Sequence, residues 1–243
     1  DLHYSLHSFP TPTLFRSLRV CQPHDGFTGL LLQKTHMSKE CLDSQRRSWR
    51  GMIIGTTTSS FAKGVLVWIA GGVPYVTTSH TINPDGRYVV VEGQLDGTPL
   101  AMAADYTPNS GHNTFFEKIT PALLFNPHTP IIWGGDFNCV PDIEMYRSTP
   151  PLAGAACFGS TQALRNWLFN TRTHDAWHLL HSLAREYLFY SPVHKLYTRL
   201  DLFVCTASLI PQIATLNYVS SKHSDHNPLR MCLRWGRPCP AIP

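Results

Sequence analysis

Trp133-Gly134-Gly135-Asp136-Phe137-Asn138 is the stretch on which the reading of this chain turns. The apolar run Pro130 to Trp133 enters two glycines, then sets a carboxylate and a carboxamide two residues apart. On an extended chain, residues i and i+2 face the same side. Asp136 and Asn138 can therefore converge on one water or one phosphate oxygen. A polar turn after a buried strand is the alternative reading of the same six residues.

Four further stretches repeat the theme of polar groups at the ends of apolar runs. Gln33-Lys34-Thr35-His36 closes the run Gly29 to Gln33, and Ala104-Asp105-Tyr106-Thr107-Pro108-Asn109 closes the run Pro99 to Tyr106. Arg199-Leu200-Asp201-Leu202-Phe203 puts one carboxylate inside an apolar strand, where an unpaired charge is costly. Its partner is either the neighbouring Arg199 or a histidine, for which His226 is the candidate. Ser224-Asp225-His226 precedes the last apolar run, Pro228 to Trp235, and offers a hydroxyl and two titratable groups for metal-ligand or acid/base work.

Between these lie the elements that carry them. The runs Gly29–Gln33, Gly64–Ala70, Arg87–Leu95, Pro99–Tyr106, Pro130–Trp133, Arg199–Cys205 and Pro228–Trp235 hold β-branched residues between turn residues, and read as strands. Asn113 to Leu124 reads as a helix on the spacing of Phe115, Phe116, Ile119 and Leu123. Ser160 to Asn170 reads as another, with Leu164, Trp167 and Leu168 on one face and Ser160 as its N-cap. Many strands with few helices between them imply two packed sheets with helices outside, a four-layer α/β sandwich of the α+β kind, rather than a doubly wound parallel sheet.

Composition bounds the rest. The chain has 243 residues, 43% hydrophobic and 15% charged, enough for a substantial core and unlike a disordered segment. Residues 1–235 read as one domain and 236–243 as a tail. No apolar run approaches the roughly 18 residues of a membrane span, and no signal-peptide pattern opens the chain. It starts on Asp1 and not on Met, as a processed or truncated piece would. The seven cysteines form no Cys-x-x-Cys pair and are odd in number, which argues against a zinc site or a disulfide framework and for reduced intracellular thiols. Cys205 and Cys232 sit in apolar runs and read as core. The net charge of +4, with 13 histidines besides, is compatible with a polyanionic partner.

In order, Gln-x-Thr-His, Tyr-x-Pro-Asn, Gly-Asp-Phe-Asn, Arg-hydrophobic-Asp and Ser-Asp-His resemble the endonuclease/exonuclease/phosphatase superfamily of AP endonucleases and deoxyribonuclease I. The stretch Tyr187-Leu188-Phe189-Tyr190-Ser191-Pro192-Val193-His194, then Tyr197-Thr198-Arg199-Leu200-Asp201, looks like that of LINE-type (non-LTR) retrotransposon endonuclease domains, as does Arg147-Ser148. The resemblance covers roughly residues 29 to 235.

The resemblance implies a divalent-metal-dependent endonuclease that nicks double-stranded DNA with Mg2+ (or Mn2+), working as a monomeric domain in the nucleus or cytoplasm, once fused to a reverse transcriptase. It implies that Asp136 orients or deprotonates the water, Asn138 holds the phosphate, and His226 contacts the phosphate with Asp201 fixing its orientation. Tyr106 and Asn109 support the site, Asp225 belongs to the metal shell, and Ser224, Arg147 and Arg199 bind substrate. Three departures bear on activity. Where the family carries a glutamate metal ligand, this chain has Lys34. The Asn-x-Asn-Gly of the first strand has no counterpart near Leu6-His7-Ser8-Phe9. Tyr146 stands where an Asp is usual before Arg-Ser.

An ammonium roughly 4 Å from a dication would be repelled by on the order of 8 kcal/mol at an effective dielectric near 20, before relaxation. Weak metal binding and strongly reduced catalysis follow, so a degenerate site is expected. A non-catalytic nucleic-acid-binding relic is the reading of a different class. A phosphatase of the same superfamily is the third, and the LINE-like flanks argue against it.

Overall fold

The structure is a computed structural model that describes residues 2–10, 28–58, 63–123, 128–149, 157–187, 189–192, 195–219 and 226–235. Ser224, Asp225 and the 236–243 tail lie outside the described residues. The strands are β1 (Leu2–Pro10), β2 (Gly29–Gln33), β3 (Gly51–Thr57), β4 (Gly64–Ala70), β5 (Tyr75–Ile82), β6 (Tyr88–Leu95) and β7 (Thr98–Tyr106). They continue as β8 (Ile131–Asp136), β9 (Thr173–Asp175), β10 (Phe189–Ser191), β11 (Leu196–Thr198), β12 (Asp201–Thr206), β13 (Ile213–Tyr218) and β14 (Leu229–Trp235). The helices are α1 (Lys39–Ser48), α2 (His112–Leu123), α3 (Ile143–Tyr146), α4 (Cys157–Thr171) and α5 (Ala176–Leu180).

Two six-stranded sheets form, in the orders β13-β14-β1-β2-β4-β3 and β5-β6-β7-β8-β12-β9. Their facing sides bury Leu31, Val67, Val91, Ile132, Phe203 and Met231 in one core. The far side of the second sheet is covered by α2 and α4, where Phe116 and Trp133 pack against Trp167. The far side of the first is covered by α1, with Leu42 against Leu66 and Trp68. The order of layers is therefore helix, sheet, sheet, helix, the four-layer sandwich that the run pattern implies. This double cover explains why Val-Leu-Val-Trp-Ile in β4 shows no alternation: both faces are buried.

Several sequence expectations need correction. Strand β8 runs to Asp136, three residues beyond Trp133, so the catalytic-looking carboxylate is part of the ladder. Ser160 does not cap its helix. Helix α4 starts at Cys157, and the Ser160 hydroxyl donates to the Cys157 carbonyl at 2.9 Å. Cys205 is fully buried, whereas Cys232 is only half-buried. The stretch around Leu6 to Phe9, matched to the family's first strand, does form strand β1, parallel to β2 and antiparallel to β14. No helix among the described residues is long and apolar enough to cross a membrane.

Candidate active site

Tyr106, Asp136 and Asp201 are direct register partners on β7, β8 and β12, so they form one row across the second sheet. The two carboxylates are buried side by side, an arrangement that repels. The first sheet supplies the compensation. Lys34 follows the end of β2, and its Nζ lies 2.9 Å from Asp136 Oδ2. His226 precedes β14, and its Nδ1 lies 2.5 Å from Asp201 Oδ2. Carboxylates from one sheet thus meet cations from the other across the mouth of the sandwich.

The carboxylates hold both cations charged, whereas burial outweighs the His226 charge at Asp201 and raises its pKa above the usual carboxylate value. Burial pulls the His226 pKa down, but the Asp201 charge and hydrogen bond outweigh it and push it up to about 9. Burial likewise works against the Lys34 charge, and Asp136 more than offsets it, holding the ammonium above the usual lysine value. Lys34 Nζ also sits 4.7 Å from the centre of the Tyr106 ring, and Arg87 approaches the same ring at 4.6 Å. Lys34 adopts φ +49°, a left-handed conformation that costs a lysine free energy and that its surroundings must enforce.

Asn138 reaches the site by a different route from that expected. It does not share a strand face with Asp136, because the strand ends there and Asn138 turns back at φ +48°. Its backbone N–H donates to Asp136 Oδ1 at 3.1 Å, and its side-chain amide donates to the Thr107 carbonyl at 2.7 Å. Lys34, Tyr106, Asn109, Asn138 and His226 line one open pocket, with Phe189 and Leu200 as its apolar wall. Phe189 packs on the His226 ring at 4.5 Å.

Two residues named from the sequence stand elsewhere. Arg199 is a correction. It is 2% exposed, pairs with Asp175 at 3.2 Å and lies 3.9 Å from the Tyr146 ring centre, so it cannot reach a ligand in the pocket. Tyr146, in place of the usual Asp, donates a hydrogen bond to the same Asp175. Arg147 is half-buried, its backbone bridging to Thr198 of β11, and it does not line the pocket. Asp225 and Ser224 fall outside the described residues.

Sequence reasoning passed over Asp105. This fully buried acid is hydrogen-bonded to Thr107 Oγ1 at 2.6 Å and accepts from Trp133 Nε1 at 2.8 Å. Burial, against those hydrogen bonds, pushes its pKa up to about 8. It accounts for Gly135, since a Cβ there would collide with the Asp105 carboxyl group. A carboxylate in an apolar run was the signal for it, as for Asp201.

Among the described residues, which do not include Asp225, the set around Asp136 does not fit a divalent cation. The Lys34 ammonium takes the side of Asp136 from which a cation would be held. Among the described residues, no group of three or more His, Cys, Asp or Glu side chains could hold a metal ion.

This arrangement of sheets and helices is the fold of the endonuclease/exonuclease/phosphatase superfamily, to which the structural neighbours belong. The AP endonuclease LMAP from Leishmania major matches with a TM-score of 0.72 at 15% identity, over 96% of this chain and 88% of that one. The endonuclease domain of TRAS1, a telomere-specific non-LTR retrotransposon, matches at 0.70 and 14%, over 96% of this chain and 100% of that one. The 3' phosphatase NExo from Neisseria, bound to product DNA hairpin, matches at 0.71 and 16%, over 95% and 99%. No family model matches the chain.

Proposed function

We propose that this chain is a DNA-binding domain descended from a LINE-type retrotransposon endonuclease, in which Lys34 suppresses metal-dependent nicking and leaves metal-free binding of the DNA backbone. The observation that carries the reading is the ion pair between Lys34 and Asp136. With it, the pocket offers a lysine ammonium, a His226 imidazolium, a phenol and two carboxamides, while both nearby carboxylates are already neutralised. Such a set suits one phosphate group. Asp136, tied to Lys34, is a poor base for a water. The LINE-like stretch from Tyr187 to Asp201 and the fold shared with the TRAS1 domain support the branch.

Supercoiled-plasmid nicking and duplex binding, compared for the unmodified chain and Lys34→Glu, test it. The unmodified chain is expected to bind duplex DNA without metal, more weakly as salt rises, and to nick slowly or not at all. Lys34→Glu raises nicking in Mg2+ and weakens metal-free binding. Nicking by the unmodified chain as fast as by Lys34→Glu at the same Mg2+ concentration would overturn the suppressed state and leave an active endonuclease.

A further inference from the structure

A second cleft, of about 590 Å3, shares no residue with the pocket of Lys34 and His226. It lies between α4 on one side and β9 with α5 on the other. Clefts that hold a small organic ligand measure roughly 300–1,000 Å3. Arg165, Leu168 and Phe169 of α4, and Arg172 just beyond its end, all line it. These positions are i, i+3, i+4 and i+7, which share one face of a helix. The stripe is unlike a core face. Phe169 is 83% exposed, the most exposed aromatic side chain among the described residues. Arg172 is exposed too, and its side chain has no ion pair or hydrogen bond among the described residues. Both acids of the lining are already engaged. Asp142 pairs with Arg165 at 3.1 Å and accepts from the Glu144 N–H at 2.9 Å. Asp175 is held by Arg199 and Tyr146. The cleft thus offers an uncovered ring and an uncompensated guanidinium, with Leu168 and Leu179 as apolar surface.

We infer that this cleft binds single-stranded nucleic acid: an unpaired base stacks on Phe169, and the phosphate beside that base meets Arg172. The inference goes beyond the reading of the Lys34 pocket and does not depend on it. Every base has a π-face and every nucleotide a phosphate, so a ring beside a guanidinium takes a strand of any sequence. A duplex keeps its bases stacked inside and offers Phe169 no face. An acidic peptide is the rival occupant. It would cover a continuous apolar patch with aliphatic side chains, whereas here the exposed ring stands between two arginines, four residues after one and three before the other. That interleaving suits the alternation of base and phosphate along a strand.

The test uses two substitutions that the fold tolerates. Alanine is a better helix residue than phenylalanine, and little of the Phe169 ring is buried, so Phe169→Ala should melt no lower than the unmodified chain. Arg172 has φ +54°, a left-handed conformation that asparagine adopts more readily than most residues, so Arg172→Asn removes the charge without backbone cost. Binding of a labelled oligothymidylate of about six nucleotides is followed by anisotropy across a salt series, without metal. Phe169→Ala is expected to bind about tenfold more weakly with an unchanged salt slope. Phe169→Trp, which keeps a ring, should bind at least as tightly as the unmodified chain. Arg172→Asn should lower the slope of log affinity against log salt by about 0.7, the amount for one single-strand phosphate contact. Duplex affinity should change less than about twofold in either variant, because the ring and guanidinium lie outside the Lys34 pocket. The same series with oligouridylate tells the two sources of the strand apart: tighter binding of either one, with the same sensitivity to Phe169→Ala, supports the site and names its ligand. Equal oligothymidylate affinities for the unmodified chain, Phe169→Ala and Arg172→Asn would overturn the site and leave the cleft to a protein partner. A loss of duplex affinity as large as the single-strand loss would overturn it as well. The Phe169→Ala loss repeated in the Lys34→Glu background keeps the two proposals apart: if it persists while duplex DNA binds neither protein, the proposed function fails and the single-strand site stands.

Discussion

Two cation–carboxylate pairs stand on the same sandwich. One, Arg199 with Asp175, is sealed: its side chains are 2% and 5% exposed, Tyr146 stacks on the guanidinium, and the Tyr146 and Tyr218 hydroxyls complete the set. The other, Lys34 with Asp136, is open on one side, with the lysine side chain 26% exposed to the pocket. The planar, always-charged guanidinium suits a closed network, and a flexible ammonium suits a position from which it can turn to a ligand. The comparison separates a charge that holds the β9 edge to the body of the protein from a charge that a ligand can borrow.

The largest effect is expected at the sealed pair. Arg199→Met leaves the Asp175 carboxylate buried with only hydroxyl and backbone donors, and should cost about 3–5 kcal/mol of stability, read by denaturant unfolding. If Arg199→Met instead retains full stability while duplex binding falls, the two pairs have been assigned the wrong way round. Lys34→Met should cost less, about 1–2 kcal/mol, because solvent reaches that pair. It should show itself in binding: the slope of log affinity against log salt falls by about 0.9, the amount for one phosphate contact. An unchanged slope would mean that the open pair is structural as well.

The smallest effect sharpens the comparison from beneath, at the acid with no cation. Asp105 has its folded pKa raised, to about 8, from an ordinary value of 3.8. The folded state therefore keeps a proton that the unfolded chain releases. Its contribution to stability is full below the ordinary value and is lost as pH rises through about 8. Asp105→Asn keeps the shape and both hydrogen bonds without the titration. The melting temperatures of the two proteins should agree near pH 4, and the variant should melt higher by a few degrees at pH 8. A constant difference across that range would show that Asp105 is ionised throughout.

What the sequence discloses follows from which side of an element meets water. Strands with both faces covered, such as Gly64–Ala70, appear as unbroken apolar runs and are legible. Strand β5 is a sheet edge, mostly exposed through Thr78, Ser79 and His80, and has no apolar run to read. Strand β3 is interrupted by Gly55, and α1 buries only Leu42. In the site, the Asp201–His226 pair is legible because a carboxylate in an apolar strand demands a partner. The partner of Arg199 is not, since Asp175 lies on a three-residue strand with no pattern of its own. Nor does spacing reveal how Asn138 approaches Asp136, because that depends on a left-handed turn.

Strand β1 has a consequence for how the chain reaches this state. It lies in the interior of the first sheet, and its partner on one side is β14, with Leu2 opposite Trp235 and Ser8 opposite Leu229. The first and last strands of the described chain must find each other before either β1 or β14 gains its full neighbourhood. Pairings between such distant residues carry a large loop-closure cost and slow folding. During synthesis, the open side of β1 must wait, unpaired, for nearly the whole chain to emerge. A ribosome stalled before residue 229 should therefore hold a nascent chain whose first sheet is still in two pieces, and an added β14 peptide should complete it by strand addition.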